Sequence, residues 1–598
     1  MYLEQTDIYQ GMDPKLQRVL DRRQRGLRTL ATGSSSADEI GVIALVSDRD
    51  AWRELSEVRE GAELVQLDGG DWLVTGRIPM SRIEIVRRTP GVKSLKAAQP
   101  LWPVLKATVE DIKAAPSALP PEQRSSGGAG VIIGIIDSGA DFAHQNFQNS
   151  DGSTRIASLW DQSGALSSDS PFGYGQRYDS GEINSALKAT NPYAALGYGP
   201  APDTLFDHGA HGTHVMDIAS GNGRGSGVPG VAPEADIVFV DLAASDIAWV
   251  GEEVVGSEFG DSIQMVEALR FIFNEAGDQP CVVNISLGTN GGPHDGSSWV
   301  EIAIDAMVQE KPGRSVVIAA SNSFADNIHA AGDVRQGEST DLRWVIPTNA
   351  VSQSELEVWY PGEDRFSVEL IAPDGTSLGP IPPGSNPRVH GNDGKVLFFV
   401  SNRLNDPSNG DNVIGVFVDE KVLGGDWTIR LHGDQVSDGN FHAWIERNDA
   451  SQSSFVTPKQ NSHTLGSISC GQLSIVVGSY DAHKQSRPIS FFSSAGPTRD
   501  GREKPEISAP GHAVLAAHSR TKIGVTRKSG TSMAAPAVTG AVALLLAEAT
   551  ARGIRLSATD IRNILSRTAQ HNPPPGGAWD DRYGTGRLDA AAALAEFS

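Results

Sequence analysis

The sequence is poor in cysteine and in long apolar runs. Only two of its 598 residues are cysteines, Cys281 and Cys470, and each lies in an apolar stretch. This count excludes a disulfide-rich secreted scaffold and predicts two buried, unpaired thiols. No run reaches the roughly 18 apolar residues of a membrane span, so none is predicted. The first residues also lack the apolar core of a signal peptide, and together these absences favour a cytoplasmic protein.

Basic charge is also scarce, because 50 lysines and arginines face 73 aspartates and glutamates, a net charge of −23. This surplus of negative charge disfavours nucleic acid and anionic membrane surfaces as partners. The apolar share of 39% and the charged share of 21% are typical of a soluble globular protein. A chain of this length exceeds one ordinary core, so about two to four domains are expected.

The first 129 residues divide into three predicted parts. Residues 1–30 are interpreted as an N-terminal helical segment, since Asp13 and Pro14 suit the N-cap and first position of a helix. Residues 38–103 follow the order βαββαβ and predict a small α+β domain. Residues 104–129 are rich in alanine, proline and serine and are interpreted as a loose linker and candidate processing region.

The rest of the chain changes character twice. Continuous apolar strands alternate with helical stretches over 130–325 and again over 463–598, which predicts a parallel sheet with helices on both faces. Between them, residues 326–462 alternate apolar and polar positions between glycine, aspartate and asparagine turns. This pattern predicts an all-β insert, a sandwich or jelly roll. Its aromatic residues are expected in the core of the insert rather than in a carbohydrate site.

Four short motifs contain side chains that could act together in nucleophilic catalysis. IIDSGAD ends a strand with Asp137, HGTHV puts His211 before a helix, and GTSMAAP puts Ser532 at a helix start. A serine hydroxyl needs a base to remove its proton, and the base needs a carboxylate to orient it. In AASN, Asn322 follows a strand, where its amide could donate to an oxyanion. Locally, Ser532 could equally be a helix cap.

These motifs resemble those of the subtilisin-like serine peptidases. The matching pieces appear in the order of that family, with aspartate first, histidine second and serine last. They are IIDSGAD, HGTHV, GVAP, NISLG, AASN, FSSAGPTRDGREKPEISAPG, GTSMAAP and YGTGRLDA, and they cover roughly residues 121–325 and 465–598. The resemblance implies an α/β peptidase domain built from residues 130–325 and 463–598.

The resemblance also implies roles for individual residues. Asp137, His211 and Ser532 would form the catalytic triad, and Asn322 would donate to the oxyanion. Substrate would pair with an edge formed by Ser286, Leu287 and Gly288, opposite a pocket wall formed by Ala319, Ala320 and Ser321.

This chain departs from the family pattern in four places. Ser321 replaces a usual glycine, Met216-Asp217 replaces alanine-glycine, and Glu506 replaces aspartate. The connection ASGNGRGSGVPGVAP looks too short for the common calcium loop of the family. No metal or other cofactor is therefore predicted, with calcium left open. A metal site at His208, His211 and His214 is set aside because glycines interrupt that stretch.

The implied activity is hydrolysis of peptide bonds in proteins or peptides through an acyl-enzyme. The N-terminal domain resembles the propeptide of the family, which implies an intramolecular inhibitor and chaperone whose tail crosses the cleft. Two alternatives stay open: a latent or non-catalytic scaffold that binds through the β insert, and a peptide maturase or transpeptidase. By the same resemblance, four acidic residues border the substrate cleft, namely Glu252, Glu253, Glu258 and Asp261. They would either favour substrates with basic side chains or lie in a solvated loop without a role in binding. The sequence indicates neither the oligomeric state nor the natural substrate.

Overall fold

The computed structural model describes residues 2–4, 12–13, 16–17, 20, 39–67, 69–97, 100–103, 111–114, 117–120, 127–200, 211–243, 259–348, 354–391, 394, 396–418, 424–448, 451–571 and 578–597. The helices in these ranges are α1 (Arg49–Arg53), α2 (Ile83–Arg88), α3 (Ser180–Leu187), α4 (Pro192–Leu196), α5 (His211–Ser220), α6 (Ser262–Ala276), α7 (Trp299–Gln309), α8 (Thr531–Ala551), α9 (Ala558–Thr568) and α10 (Ala590–Ala595). Three short 3₁₀ turns lie at Met80–Arg82, Gln145–Phe147 and Pro171–Gly173.

The strands of the first half are β1 (Tyr2–Glu4), β2 (Glu39–Val46), β3 (Arg59–Gln66), β4 (Trp72–Pro79), β5 (Val92–Ala97), β6 (Pro100–Pro103), β7 (Ile132–Asp137), β8 (Ile156–Asp161), β9 (Gln176–Asp179), β10 (Asp236–Asp241), β11 (Phe259–Asp261), β12 (Cys281–Ile285), β13 (Leu287–Gly288) and β14 (Arg314–Ala319). Those of the second half are β15 (His329–Asp333), β16 (Ser339–Ile346), β17 (Glu355–Tyr360), β18 (Arg365–Ile371), β19 (Ser377–Ile381), β20 (Arg388–His390), β21 (Val396–Arg403), β22 (Asn412–Val418), β23 (Gly425–Gln435), β24 (Asn440–Ile445), β25 (Ser454–Thr457), β26 (Ile475–Tyr480), β27 (Ile507–Pro510), β28 (Val514–Ala517) and β29 (Val525–Lys528).

An eight-stranded sheet forms the centre of the molecule, in the order β27-β26-β14-β12-β7-β10-β8-β9. Its strands are parallel except for β9, which pairs with β8 in the antiparallel sense. β7, β12, β14 and β26 are buried along their whole length, which explains their continuous apolar sequences. The predicted α/β fold is confirmed, and it brings the carboxyl ends of several strands to one edge.

The N-terminal domain is a four-stranded antiparallel sheet in the order β3-β4-β2-β5, with α1 and α2 in the connections. The predicted βαββαβ order is confirmed. Its apolar side chains share one hydrophobic cluster with helices α6 and α7 of the central domain. The predicted helix at Asp13–Arg25 lies mostly outside the described residues, although Asp13 Oδ1 accepts a hydrogen bond from Leu16 N at 2.9 Å.

The insert between β14 and β26 is all-β, as predicted. It consists of a five-stranded sheet in the order β19-β18-β23-β16-β25 and a seven-stranded sheet in the order β1-β20-β21-β22-β17-β24-β15. The first strand of the chain completes the second sheet, since β1 pairs antiparallel with β20. Aromatic residues fill the core of the insert, as expected: Trp359, Phe366, Trp427, Phe441 and Trp444 are all buried.

The linker region and helix α8 differ from the sequence predictions. Residues 111–114 are anchored rather than loose, because Asp111 accepts hydrogen bonds from Arg487 and Tyr480, and the Ile112 carbonyl accepts one from Ala590 N. Helix α8 is long and apolar enough to cross a membrane, although no such segment was predicted from the sequence. However, α8 is almost entirely buried inside the protein, so it packs as a core helix.

Candidate functional site

The predicted site residues gather at the carboxyl edge of the central sheet. Asp137 ends β7, Ser286 follows β12 and Asn322 follows β14. The first turns of two helices meet this edge, with His211 at the start of α5 and Ser532 at the start of α8. Parallel strands and the helices that follow them explain how residues far apart in the chain reach one place.

Asp137 and His211 form a fully buried pair. His211 Nδ1 lies 2.6 Å from Asp137 Oδ1, and both side chains are 0% exposed. The same carboxylate oxygen accepts a hydrogen bond from Ser138 N at 2.7 Å. Gly212 permits this approach, because a Cβ there would lie 2.5 Å from Phe239 and 2.8 Å from the Ser138 carbonyl. This arrangement fixes the imidazole ring and directs its Nδ1 to a carboxylate.

A second carboxylate, Asp241, lies beside Asp137 at the end of the adjacent strand β10. It accepts hydrogen bonds from Gly139 N at 2.9 Å and from Tyr198 O–H at 2.6 Å, and so holds the turn that follows Asp137. Burial, followed by the repulsion of Asp161, raises the pKa of Asp241 to about 7. Asp241 was not predicted as a site residue, although it ends the apolar strand β10 just as Asp137 ends β7.

Ser532 is not the cap of its helix. The N-cap of α8 is Gly530, and the Ser532 hydroxyl donates to the Ser286 carbonyl at 2.9 Å. In return, the Ser286 hydroxyl donates to the Ser532 carbonyl at 2.9 Å. That carbonyl is available because Pro536, four residues later, has no N–H to donate. The proline of GTSMAAP therefore lets the helix start bond to the segment after β12.

Asn322 is oriented by the start of helix α8. Its Oδ1 accepts hydrogen bonds from Thr531 N and Thr531 Oγ1, both at 3.1 Å. Because the oxygen is occupied in this way, the amide nitrogen Nδ2 is turned away from the helix backbone. Asn322 is half-buried, so this N–H₂ group can donate to a group that enters from solvent.

Strand β6 occupies the edge that was predicted for substrate. Leu287 pairs with Pro103 and Gly288 with Trp102 in an antiparallel register, while β11 pairs with the other side of β6. The tail of the N-terminal domain thus lies as the middle strand of a three-stranded sheet. Pairing an extended segment with an exposed edge is a common mode of peptide recognition.

The predicted pocket wall is buried. Ala319, Ala320 and Ser321 are at most 5% exposed, and the Ala319 carbonyl accepts a hydrogen bond from Ser469 Oγ at 3.0 Å. Ser321 has a φ of 84°, in the left-handed region that favours glycine. This conformation gives a physical reason for the glycine that the family usually has at this position.

The other departures form buried polar contacts. Asp217 accepts hydrogen bonds from Asn146 Nδ2 and Ala517 N, both at 2.7 Å, and desolvation raises its pKa to about 6. It therefore ties α5 to the 3₁₀ turn Gln145–Phe147 and to the end of β28. Glu506 accepts from Val476 N at 2.8 Å and from Lys504 Nζ at 2.6 Å. His214 is buried with Nε2 3.3 Å from the Thr526 carbonyl.

Several predicted residues lie outside the described residues or have no described side chain. His208 and the acidic residues Glu252, Glu253 and Glu258 lie outside them, and Asp261 is described only as part of β11. Both cysteines are buried and unpaired, as predicted. Among the described residues, one group has the geometry to hold a metal ion, and it lies in the insert: His329, His442 and His463.

An ion pair buried between the N-terminal domain and helix α6 was also missed from sequence. Arg77 Nη2 lies 2.9 Å from Glu267 Oε2, with exposures of 1% and 0%. Thr75 Oγ1 donates to Glu267 Oε1 at 2.6 Å, and the Arg77 guanidinium stacks over the Tyr174 ring at 3.8 Å. These contacts join two segments about 190 residues apart, so no local pattern could reveal them.

Curated relatives of the chain are proteinases. It is 43% identical to pyrolysin of Pyrococcus furiosus over 81 residues, 14% of this chain and 6% of pyrolysin. It is 23% identical to the C5a peptidase of Streptococcus pyogenes over 470 residues, 74% of this chain and 37% of the relative. The match to the PII-type proteinase of Lactococcus lactis is 25% over 459 residues, covering 70% and 22%. The chain thus spans well under half the length of these relatives.

A solved structure and a family model also match most of the chain. The structure of the Clostridium perfringens CspB protease superposes with a TM-score of 0.67 at 27% identity, covering 82% of this chain and 96% of that chain. The model of the subtilase family, Peptidase S8, matches residues 128–586. That match covers more than half of the chain and includes the predicted catalytic, oxyanion and substrate-binding residues, so the chain belongs to the subtilase family.

Proposed function

We propose that the protein is a serine endopeptidase that its N-terminal domain keeps latent. Ser532 Oγ attacks the carbonyl carbon of a peptide bond, and His211 takes the hydroxyl proton and passes it to the leaving amine. Asp137 orients His211 and stabilises the imidazolium, while Asn322 Nδ2 and the Ser532 N–H hold the oxyanion. Water then attacks the acyl-enzyme and releases the second product.

One observation carries the proposed chemistry, namely the buried 2.6 Å contact between His211 Nδ1 and Asp137 Oδ1. A carboxylate on Nδ1 fixes the tautomer that leaves Nε2 to act as the base. The orientation of Asn322 supports the oxyanion role, because its oxygen is occupied by Thr531 and its nitrogen can donate. Ser532 lies in the first turn of α8, where backbone N–H groups and the helix dipole favour negative charge.

The proposed latency rests on strand β6. Because β6 lies between β11 and β13, a substrate strand cannot pair with Leu287 and Gly288 while it is in place. The shared core and the Arg77–Glu267 pair hold the domain that carries β6. Self-processing is expected between Pro103, the end of β6, and Asp111, which is anchored to the peptidase domain.

A fluorophosphonate probe tests the proposed nucleophile. In the wild-type chain after self-processing, we expect the probe on Ser532, identified by peptide mapping, and no labelling of Ser532→Ala. The intact Ser532→Ala chain should keep its full mass, whereas the wild type should be cut between residues 103 and 111. A processed, folded wild-type protein that does not react at Ser532 would refute the activity. An intact chain that reacts as fast as the processed one would refute only the latency.

A further inference from the structure

Three histidines from distant parts of the chain meet at the base of the insert. His329 is the first residue of β15, His442 lies on the neighbouring strand β24, and His463 follows β25. Each offers a ring nitrogen, and the three nitrogens lie within 4.8 Å of one another. This group, the histidine cluster, is separate from the candidate catalytic residues, which lie at the edge of the central sheet.

Two of the three ring nitrogens lie close to the spacing that they would have in a metal site. His329 Nε2 and His442 Nδ1 lie 3.0 Å apart. Two imidazoles bound to one tetrahedral zinc ion at about 2.0–2.1 Å place their nitrogens about 3.4 Å apart. A movement of a few tenths of an ångström would therefore turn this hydrogen-bonded pair into two ligands. The proton now shared by the pair would move to a ring nitrogen that faces away from the ion.

The surroundings hold the three rings in position. His329 is fully buried, with its ring centroid 5.2 Å from that of His442 and 5.0 Å from that of Trp444. Ser462 Oγ lies 3.1 Å from His463 Nδ1, and such an outer contact fixes the tautomer and orientation of a ligating histidine. His442 and His463 are half-buried, so an ion and a completing water molecule can reach the cluster from solvent.

The chemistry of the cluster selects the class of ion. Its ligand atoms are imidazole nitrogens without a carboxylate, a set that suits zinc, copper and nickel and does not suit calcium or magnesium.

We propose that His329, His442 and His463 bind one divalent transition-metal ion, zinc above all, with water completing the site. The ion joins the strand that enters the insert to the segment that leaves it, and so fixes the insert on the peptidase domain. The strongest competing explanation is a stack of neutral histidines on Trp444, held by the 3.0 Å hydrogen bond alone.

Zinc titration of the chelator-treated full chain tests the proposal, with calorimetry for affinity and thermal unfolding for stability. The variants are His442→Gln and His463→Gln, both at half-buried positions where folding should survive. His432→Gln is the matched control, because His432 also lies in the insert but its Nε2 contacts Glu369 at 3.1 Å, away from the cluster. X-ray absorption of the zinc-loaded wild type gives the ligand count without any variant.

We expect the wild type and His432→Gln to bind zinc equally and to melt at a higher temperature with zinc than without it. Each cluster variant should bind at least about 10–100-fold more weakly, the loss that even an outer-shell partner can cause, and should lose the zinc-dependent rise. The absorption spectrum should show three imidazole ligands. Equal binding by all four proteins, no effect of zinc on unfolding of the wild type, or a shell made of oxygen alone would overturn the proposal.

Discussion

The N-terminal domain and the β insert are attached to the central domain in different ways. The N-terminal domain shares its hydrophobic core with helices α6 and α7, so its apolar residues and those of the peptidase domain form one cluster. The insert has a core of its own, built from residues between Ile328 and Phe455. Two of its phenylalanines, Phe399 and Phe417, instead join the shared cluster.

Polar contacts complete the attachment of the insert. Glu446, just after β24, accepts hydrogen bonds from Asn290 N at 2.7 Å and Gly291 N at 3.0 Å, in the loop that follows Gly288. On the other side, Arg499 Nη2 lies 2.5 Å from both Asp295 and Asp411. Apolar burial therefore dominates one interface and directional hydrogen bonds support the other. The interface of the N-terminal domain should therefore resist salt. The hydrogen bonds of the insert should define the geometry of the loop that follows Gly288.

The largest expected effect comes from Glu267→Ala, which leaves Arg77 charged and buried at the interface of the N-terminal domain. Loss of one partner of a buried pair typically costs about 3–5 kcal/mol. We expect β6 to leave the cleft more often and the unprocessed chain to react faster with the fluorophosphonate probe. The control is Glu275→Ala in the same helix, whose pair with Arg177 is partly exposed and should matter by about 0–1 kcal/mol. Equal rates of probe labelling for both variants would show that the Arg77–Glu267 pair does not hold the N-terminal domain in place.

Leu431→Ala tests whether the insert has an independent core. Leu431 is 0% exposed on β23, and its truncation should destabilise the insert by about 2–5 kcal/mol. Calorimetry should show a lower melting temperature for one transition and an unchanged one for the peptidase domain. Thr428→Ala, at a half-exposed position of the same strand, should change neither transition measurably. If both transitions moved together for Leu431→Ala, the two cores would be one cooperative unit.

Glu446→Gln weakens the polar attachment and should have a smaller effect. In the variant, the amide N–H₂ would face a backbone N–H that now donates a hydrogen bond to the carboxylate. The loss of this hydrogen bond should lower the free energy of unfolding by about 1–3 kcal/mol. Hydrogen exchange at Asn290 and Gly291 should accelerate, and probe labelling of Ser532 should slow. The exposed Asp426→Asn substitution on the same insert serves as the control and should leave both rates unchanged. Unchanged exchange in Glu446→Gln would show that the insert does not hold this loop.

A pH-dependent effect concerns the central domain, which both attachments share. Asp241 has a folded pKa of about 7, raised by burial, so the folded state binds its proton more tightly than the unfolded state does. This contribution to stability is complete below about pH 4 and is lost as the pH rises through about 7. Asp241→Asn should therefore gain stability relative to the wild type between pH 5 and pH 8, as measured by urea unfolding. A constant difference across this range would contradict the raised pKa.

The sequence predicted the parts of the site that depend on strand ends and local motifs. Asp137 and Asn322 follow apolar strands, and glycines or small residues surround His211 and Ser532, so their positions were readable from short patterns. The contacts that orient these side chains could not be predicted from short patterns. Thr531 fixes Asn322 from 209 residues away, and Ser286 bonds to Ser532 across 246 residues. Such pairs arise only when the sheet assembles.

Each difference between the sequence predictions and the structure can be traced to particular residues. Ser532 does not cap its helix, an alternative that the local sequence left open, because Gly530 takes the N-cap position. The linker looked loose by composition, yet Asp111 within it bonds to Tyr480 and lies beside Arg587, both far along the chain. The histidine cluster was not predicted, because His329 and His463 lie more than 100 residues apart in the sequence. The cytoplasmic location and the role of the N-terminal domain as an inhibitor stay predictions.

The pairing of β1 with β20 places the start of the chain against a strand that is made much later. Glu4 pairs with Arg388, roughly 380 residues further on. At a synthesis rate of about 5–20 residues per second, the first strand leaves the ribosome about 20–80 s before its partner exists. During that time the N-terminal domain, and the helices that share its core, can already be made and folded. The seven-stranded sheet of the insert is therefore completed by a segment that was translated well before the other strands of that sheet.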